Sequence, residues 1–443
     1  MVTEDEVKKR KMRKRNMKLF PFYKKLAWDY IFFYTINFLF LTQVKGINPA
    51  DVVLIDSFYY LFSFIAQMPA TFIIEFFGRR NSIIFANIIN CLYMVLIMLS
   101  KNLFNLVFAE LLSSLAFAIK GSSEPALLNE SIPRTKKKSE IFAKINEKGM
   151  SSYYIINGIS TVIAGLLYEV NPYIPILLSF LTLIIVTFIS NFFIEPVKRN
   201  KKVKMNSSQI KDIRNSFRFI LKSERIKSLI LMAALMTGIL NILTTYEISL
   251  VEDLNMPATH MGILFAFLGA IATLGTREQN NFHNKFRNKS LTVLGLTIVG
   301  SCILSGISGL ISKEYKIAIL FIILAYLIKY TCEGTYYALI EKYLSNFTNK
   351  DIDTKIYTAN NCIKSIASAI IGIFASFLLD RMETAYCMIA VGVIFAILMM
   401  LTSKYMKTRV GLKPEEYPKE EVKYDKLREI IKNKGEINNG FIK

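Results

Sequence analysis

Two stretches of this sequence place a lysine and a glutamate one helical turn apart inside an apolar run: Lys120-Gly121-Ser122-Ser123-Glu124 and Lys329-Tyr330-Thr331-Cys332-Glu333. That spacing sets both side chains on nearly the same helix face. The two pairs share one offset, 329 − 120 = 333 − 124 = 209, so the second repeats the first in position as well as in type. Ionisable groups in a lipid-embedded segment are costly and mark a solute path, a proton relay or a counter-ion. A buried lysine beside a carboxylate titrates as a coupled pair, so protonating Glu124 or Glu333 frees its lysine and links solute binding to a proton gradient. The alternative is that each Lys and Glu neutralise one another along their own helix, leaving nothing for a solute. Asn37, Asn241 and Glu247 are further polar groups in apolar runs, where such side chains either meet a solute or join helices together. Asp56 and Glu110, in the outer parts of two runs, read as interfacial carboxylates.

The elements that must hold these groups are long apolar segments. Of the 443 residues, 53% are hydrophobic and 13% aromatic, the composition of a polytopic membrane protein. Runs near the ~20 residues that cross a bilayer fall at about 26–44, 52–77, 82–99, 103–130, 150–168 and 173–194, and again at about 226–250, 261–274, 291–311, 317–340, 357–379 and 386–406. The fold class is therefore all-α, with about twelve transmembrane helices in two six-helix bundles at 26–194 and 225–406. Residues 1–25 form a basic N-terminus. Residues 195–224 form a linker in which Ile210, Ile213, Phe217 and Ile220 recur on one face of an amphipathic helix, the alternative being a solvated basic segment. Residues 407–443 form a polar tail.

Lys+Arg of 55 against Asp+Glu of 34 leaves a net charge of +21. In a membrane protein this excess reports topology first: the cationic loops lie inside, both termini are cytoplasmic, and the multi-pass chain belongs in a plasma membrane. The N-terminal lysines and arginines also suit anionic headgroups. Basic residues confined to short loops argue against nucleic-acid binding. With two histidines and five scattered cysteines, neither a metal site nor a disulfide framework is expected. No phosphate loop, His-Glu-x-x-His or Gly-x-Ser-x-Gly occurs, so an enzyme is not expected, nor a cofactor.

One turn organises the first bundle: Thr71-Phe72-Ile73-Ile74-Glu75-Phe76-Phe77-Gly78-Arg79-Arg80. Gly78 can take the left-handed conformation that ends a helix, leaving Arg79 and Arg80 just outside the hydrocarbon. Glu75, in the last turn of its helix, opposes that helix's dipole and needs a cation or another helix's N-terminus nearby.

This pattern resembles the loop between helices 2 and 3 of the major facilitator superfamily, with Thr71 standing where the family has Gly. The resemblance implies that Glu75 meets the N-terminus of helix 11 and that Arg79 meets an acid at the end of helix 4, here Glu130. In that family helices 1, 4, 7 and 10 line a central cavity, which would place Lys120, Glu124, Lys329, Glu333, Asn37, Asn241 and Glu247 around it. The implied function is a secondary active transporter that moves a small solute by alternating access as a monomer, with protons as coupling ion and export the favoured direction. The alternatives are a proton-coupled importer of an organic anion, amino acid or sugar, and a non-transporting receptor or scaffold on the same fold.

Overall fold

The computed structural model describes residues 4–133, 138–195, 224–286, 289–312, 318–347 and 353–407. The proposed linker helix, the C-terminal tail beyond residue 407, the basic residues 134–137 and the pair 287–288 lie outside the described residues.

Among the described residues the chain is helical, without strands. The first half comprises α1 (Glu4–Ala27), the short α2 (Asn37–Leu39), α3 (Pro49–Phe77), α4 (Arg79–Leu99), α5 (Leu103–Ser131), α6 (Lys138–Val170) and α7 (Tyr173–Ser190). The second comprises α8 (Glu224–Asp253), α9 (Ala258–Arg277), α10 (Gln279–Phe286), α11 (Ser290–Ser312), α12 (Ala318–Phe347), α13 (Asp353–Leu379) and α14 (Thr384–Lys407). Eleven of the described helices are long and apolar enough to cross a membrane.

The expected continuous helix at 26–44 is absent as such, and the boundary drawn at residue 25 falls inside α1. The helix stops at Ala27, residues 28–33 are irregular, and the chain resumes as a 3-10 turn at Tyr34–Ile36, then α2, then a π-helical turn at Phe40–Val44. The cause is local. Asp29 Oδ1 accepts the Tyr30 amide at 2.7 Å, a side-chain bond that competes with the helical one. Phe32 then sits at φ 71°, a conformation that ends regular helix for a bulky residue. Tyr30, in the break, is buried and bonded to Asn90 and Ser113, each at 2.9 Å.

The other helix ends follow their sequences. Asn48 caps α3 by accepting the Ala50 amide at 3.2 Å, and Pro49 occupies the first turn, where its missing N–H costs nothing. Asn102 caps α5 through the Asn105 amide at 3.0 Å.

The chain divides into two compact units, Met1–Met205 with Asn255–Phe267, and Asn206–Leu254 with Leu268–Lys443. Within the first, α5 packs on α3 and α4, α1 on α6 and α7, and α4 on α7. Within the second, α11 packs on α12 and α14, and α8 on α13 and α14. The pairings of α4 with α5 and α7, and of α1 with α6 and α7, thus recur as α11 with α12 and α14, and α8 with α13 and α14. Phe20, Tyr23 and Ala27 of α1 share a buried cluster with Leu127, Leu128, Val186 and Phe193, which makes this basic helix an integral part of its unit.

Candidate functional site

In the first unit the charged pair on α5 is split between different partners. Glu124 is buried and accepts two bonds from α1, one from the Lys24 ammonium at 2.6 Å and one from the Tyr23 hydroxyl at 3.0 Å. Lys120, also buried, donates to the backbone carbonyl of Ala27 and lies 5.1 Å from the Phe117 ring centre. Ala27 is the last residue of α1, so Lys120 satisfies a carbonyl that the break in the helix leaves without its usual partner. A cation there also meets the negative end of the helix dipole. Asp29 follows in the break, with its second oxygen accepting from the Tyr153 hydroxyl of α6 at 3.3 Å. Lys120 and Glu124 therefore do not neutralise one another along α5: the helix spacing aims both inward, and the neighbouring helix supplies the partners.

The second unit arranges the repeated pair differently. The Lys329 ammonium lies 2.9 Å from Glu333, one turn along α12, and 3.3 Å from Glu247 of α8. Lys329 and Glu247 have side chains 1% and 2% exposed, whereas Glu333 is 20% exposed. One cation thus faces two carboxylates, and the accessible one is Glu333. The Tyr330 ring centre lies 4.0 Å from the same ammonium. Tyr326 donates to the Glu247 carbonyl at 3.0 Å, fixing that helix turn.

The secondary candidates separate. Asn241 donates to Ser368 of α13 at 2.9 Å and so joins two helices. Asn37 lies just beyond the break in the first helix, and its buried side-chain oxygen has no hydrogen-bond partner among the described residues. Glu110 is buried and accepts from the Tyr93 hydroxyl at 3.0 Å, so it is an interior group of the first unit rather than an interfacial carboxylate.

At the turn between α3 and α4, Gly78 has φ 81°, and a Cβ there would stand 3.3 Å from the Glu195 carboxyl. Glu195 accepts the Arg79 amide at 3.0 Å and the Arg80 amide at 2.8 Å, capping the N-terminus of α4 with a full negative charge. Arg79 reaches Glu130 at 3.4 Å, and Arg80 donates to the Asn191 carbonyl at 2.9 Å. Glu75 is partly buried in the last turn of α3.

Sequence reasoning missed Tyr23, Lys24, Asp29 and Glu195. The signal for the first two was present: Asn16, Phe20, Tyr23 and Ala27 recur at helical spacing, which carries the first helix well before residue 26. Lys24 and Lys25 obscured it, because an isolated lysine pair reads as water-facing. For Glu195 no comparable signal exists, since its partners are backbone amides far away in the chain.

The arrangement, buried charges on corresponding helices of two similarly paired units together with a charged turn between α3 and α4, is that of a membrane carrier. A family model described as Major Facilitator Superfamily matches residues 27–328. The chain belongs to the major facilitator superfamily. As a superfamily member it is an integral membrane transporter and not an enzyme. Its fold is similar to that of the nucleoside transporter NupG, with a TM-score of 0.68 at 11% identity, covering 92% of this chain and 100% of the other. It is likewise similar to a D-xylose-proton symporter, with a TM-score of 0.60 at 11% identity over 88% of this chain and 96% of that one. A bacterial homologue of the human lysosomal transporter Spinster superposes with a TM-score of 0.60 at 13% identity over 91% and 96% of the two chains. No curated protein sequence matches this superfamily member.

Proposed function

We propose that this transporter carries a small zwitterionic or anionic solute by alternating access, coupled to protons, as a monomer in a plasma membrane with both termini cytoplasmic. The observation that carries the reading is the unequal treatment of the two repeated pairs. Lys120 donates to a backbone carbonyl rather than to a carboxylate, and in this reading its ammonium takes an anionic group. Lys329 is shared by two carboxylates, which leaves one negative charge in excess in the set, with Glu333 the more exposed of the two toward a cationic group. Isolated buried charges are expensive, so a solute or proton that completes each set gains more than it would in water. Glu75, Arg79 and Glu130 act in this reading as a latch, with the Arg79 and Glu130 pair separating during the cycle.

The test is transport by reconstituted Glu124→Gln and Glu333→Gln variants as pH is varied. Coupling predicts that Glu333→Gln flattens the pH profile; if both variants keep the parental rate and profile, protons do not enter through these groups. Solute class is read by thermal-shift screening of drugs, amino acids, sugars and organic anions. The expected hit is one whose shift disappears in Lys120→Ala and Lys329→Ala. A receptor or scaffold on this fold would instead tolerate both substitutions without loss of function. Counterflow in vesicles of opposite orientation reads direction, for which the turn at 71–80 favours export.

A further inference from the structure

The face of α1 opposite the buried cluster carries a second recognition surface. Lys11, Lys14, Arg15 and Lys18 fall at i, i+3, i+4 and i+7, and all four are exposed. With Leu19 and Phe22 they line an open cleft of about 590 Å³. Among the described residues no carboxylate lines it. The Arg15 guanidinium lies 5.6 Å from the ring centre of Phe192, just beyond α7, and the Lys25 ammonium lies 4.1 Å from the Phe22 ring centre. Cations and exposed aromatic surface therefore adjoin along the cleft, with a ring beside the cation at Arg15 and at Lys25.

We propose that this cleft binds the headgroup of an anionic phospholipid and that the bound lipid holds α1 in the position that delivers Lys24 to Glu124. The phosphate meets Lys11, Lys14, Arg15 and Lys18, and the glycerol and first acyl methylenes lie along Leu19 and Phe22. Two observations favour a lipid over a free anion. The first is the adjoining apolar surface, which inorganic phosphate cannot use. The second is depth. Asn16, one residue from Arg15, donates to the Ser131 hydroxyl at 2.9 Å and to the Ile194 carbonyl at 2.7 Å, and accepts the Ile194 amide at 3.0 Å. Those partners terminate α5 and follow α7, so the cationic residues lie level with the ends of two membrane-spanning helices, where headgroups are. Lys24 follows Arg15 by nine residues of the same helix, about 13 Å along the axis, with Pro21 between them. Phe20 and Tyr23 tie the two sides of Pro21 into one buried cluster, so a shift of the cationic end disturbs the other and loosens the 2.6 Å contact with Glu124. The lipid site does not depend on what is carried; only its effect on turnover rests on the transport reading.

The experiment uses the full chain in mixed micelles, with phosphatidylglycerol, phosphatidylcholine or inorganic phosphate added, and follows thermal unfolding together with the fluorescence of Trp28. Trp28 is the sole tryptophan and has the Lys24 ammonium 4.1 Å from its ring centre. Phosphatidylglycerol is expected to raise the unfolding temperature by several degrees and to change Trp28 emission, while the other two do neither. The gain should shrink as salt is added. Apparent affinity should fall roughly five-fold for each cation replaced by glutamine and persist when the lysines become arginine. If the quadruple glutamine variant does not fold, the single variants and the salt series on the parental chain carry the same test. An equal shift in the glutamine variants, or a full shift from inorganic phosphate, overturns the lipid assignment. Lipid binding with unchanged Trp28 emission overturns the link to Lys24. Lipid-dependent stability in a chain that moves no solute would reject the transport reading and leave the site standing.

Discussion

Lys329 faces two carboxylates, and that inequality orders the effects of neutralising each group. Lys329→Gln leaves Glu247 and Glu333 together without their cation, and removing one partner of a buried ion pair typically costs about 3–5 kcal/mol. Glu333→Gln leaves a matched pair of Lys329 with Glu247 and should cost clearly less. Thermal unfolding of the two variants in detergent checks the order; if Lys329→Gln is no worse than Glu333→Gln, the lysine is not the charge that holds the set. In the first unit, Lys24→Gln and Glu124→Gln should each destabilise, whereas the exchange Lys24→Glu with Glu124→Lys should recover part of the loss. Recovery is partial because the Tyr23 hydroxyl, which donates to Glu124, then faces a donor.

At the scale of elements, the N-terminus of α4 shows how one turn depends on groups distant in sequence. Gly78→Ala forces a side chain into the essentially glycine-only conformation at φ 81° and ψ 172°, at about 1–3 kcal/mol, and sets its Cβ 3.3 Å from the Glu195 carboxyl. Glu195→Ala removes the cap from two amides, about 0.5–2 kcal/mol on the usual range for helix caps. Because the two residues touch, their costs should not add. A double variant as unstable as the sum, measured by chemical denaturation against the singles, would show that the cap and the turn act separately. The break in the first helix is the companion case: Lys120 occupies the carbonyl end that the break opens, so Lys120→Met should fray α1 at Ala27 and speed amide exchange there.

Over the whole molecule, two units with the same helix pairings carry sets of different charge: one with a lysine held by backbone, the other with a surplus carboxylate. On the transport reading the first set takes an anionic group and the second a cationic one. Lys120→Gln should weaken solutes bearing an anionic group about ten-fold or more, taking a charged hydrogen bond at roughly 1.5–3 kcal/mol. Glu333→Gln should spare that group and weaken the cationic one. Binding isotherms for a zwitterion and for its two singly charged analogues test the split; equal losses for all three in both variants would contradict it.

The sequence by itself determined the membrane class, the approximate number and order of the helices, the turn at Gly78 and the presence of charges inside apolar runs. Each follows from hydropathy, from backbone chemistry or from the cost of burying charge, all of which are local. Only the tertiary structure decided the partners. Lys120 and Glu124 read alike as an intrahelical pair whether or not they meet, and it took α1 packed beside α5 to give one a backbone carbonyl and the other Lys24. The same holds for Glu247 beside Lys329, for Glu195 on the amides of α4 and for the break at Asp29. Contacts between residues far apart in the chain depend on which faces of which helices pack together, and hydrophobic periodicity says which face is buried without saying against what.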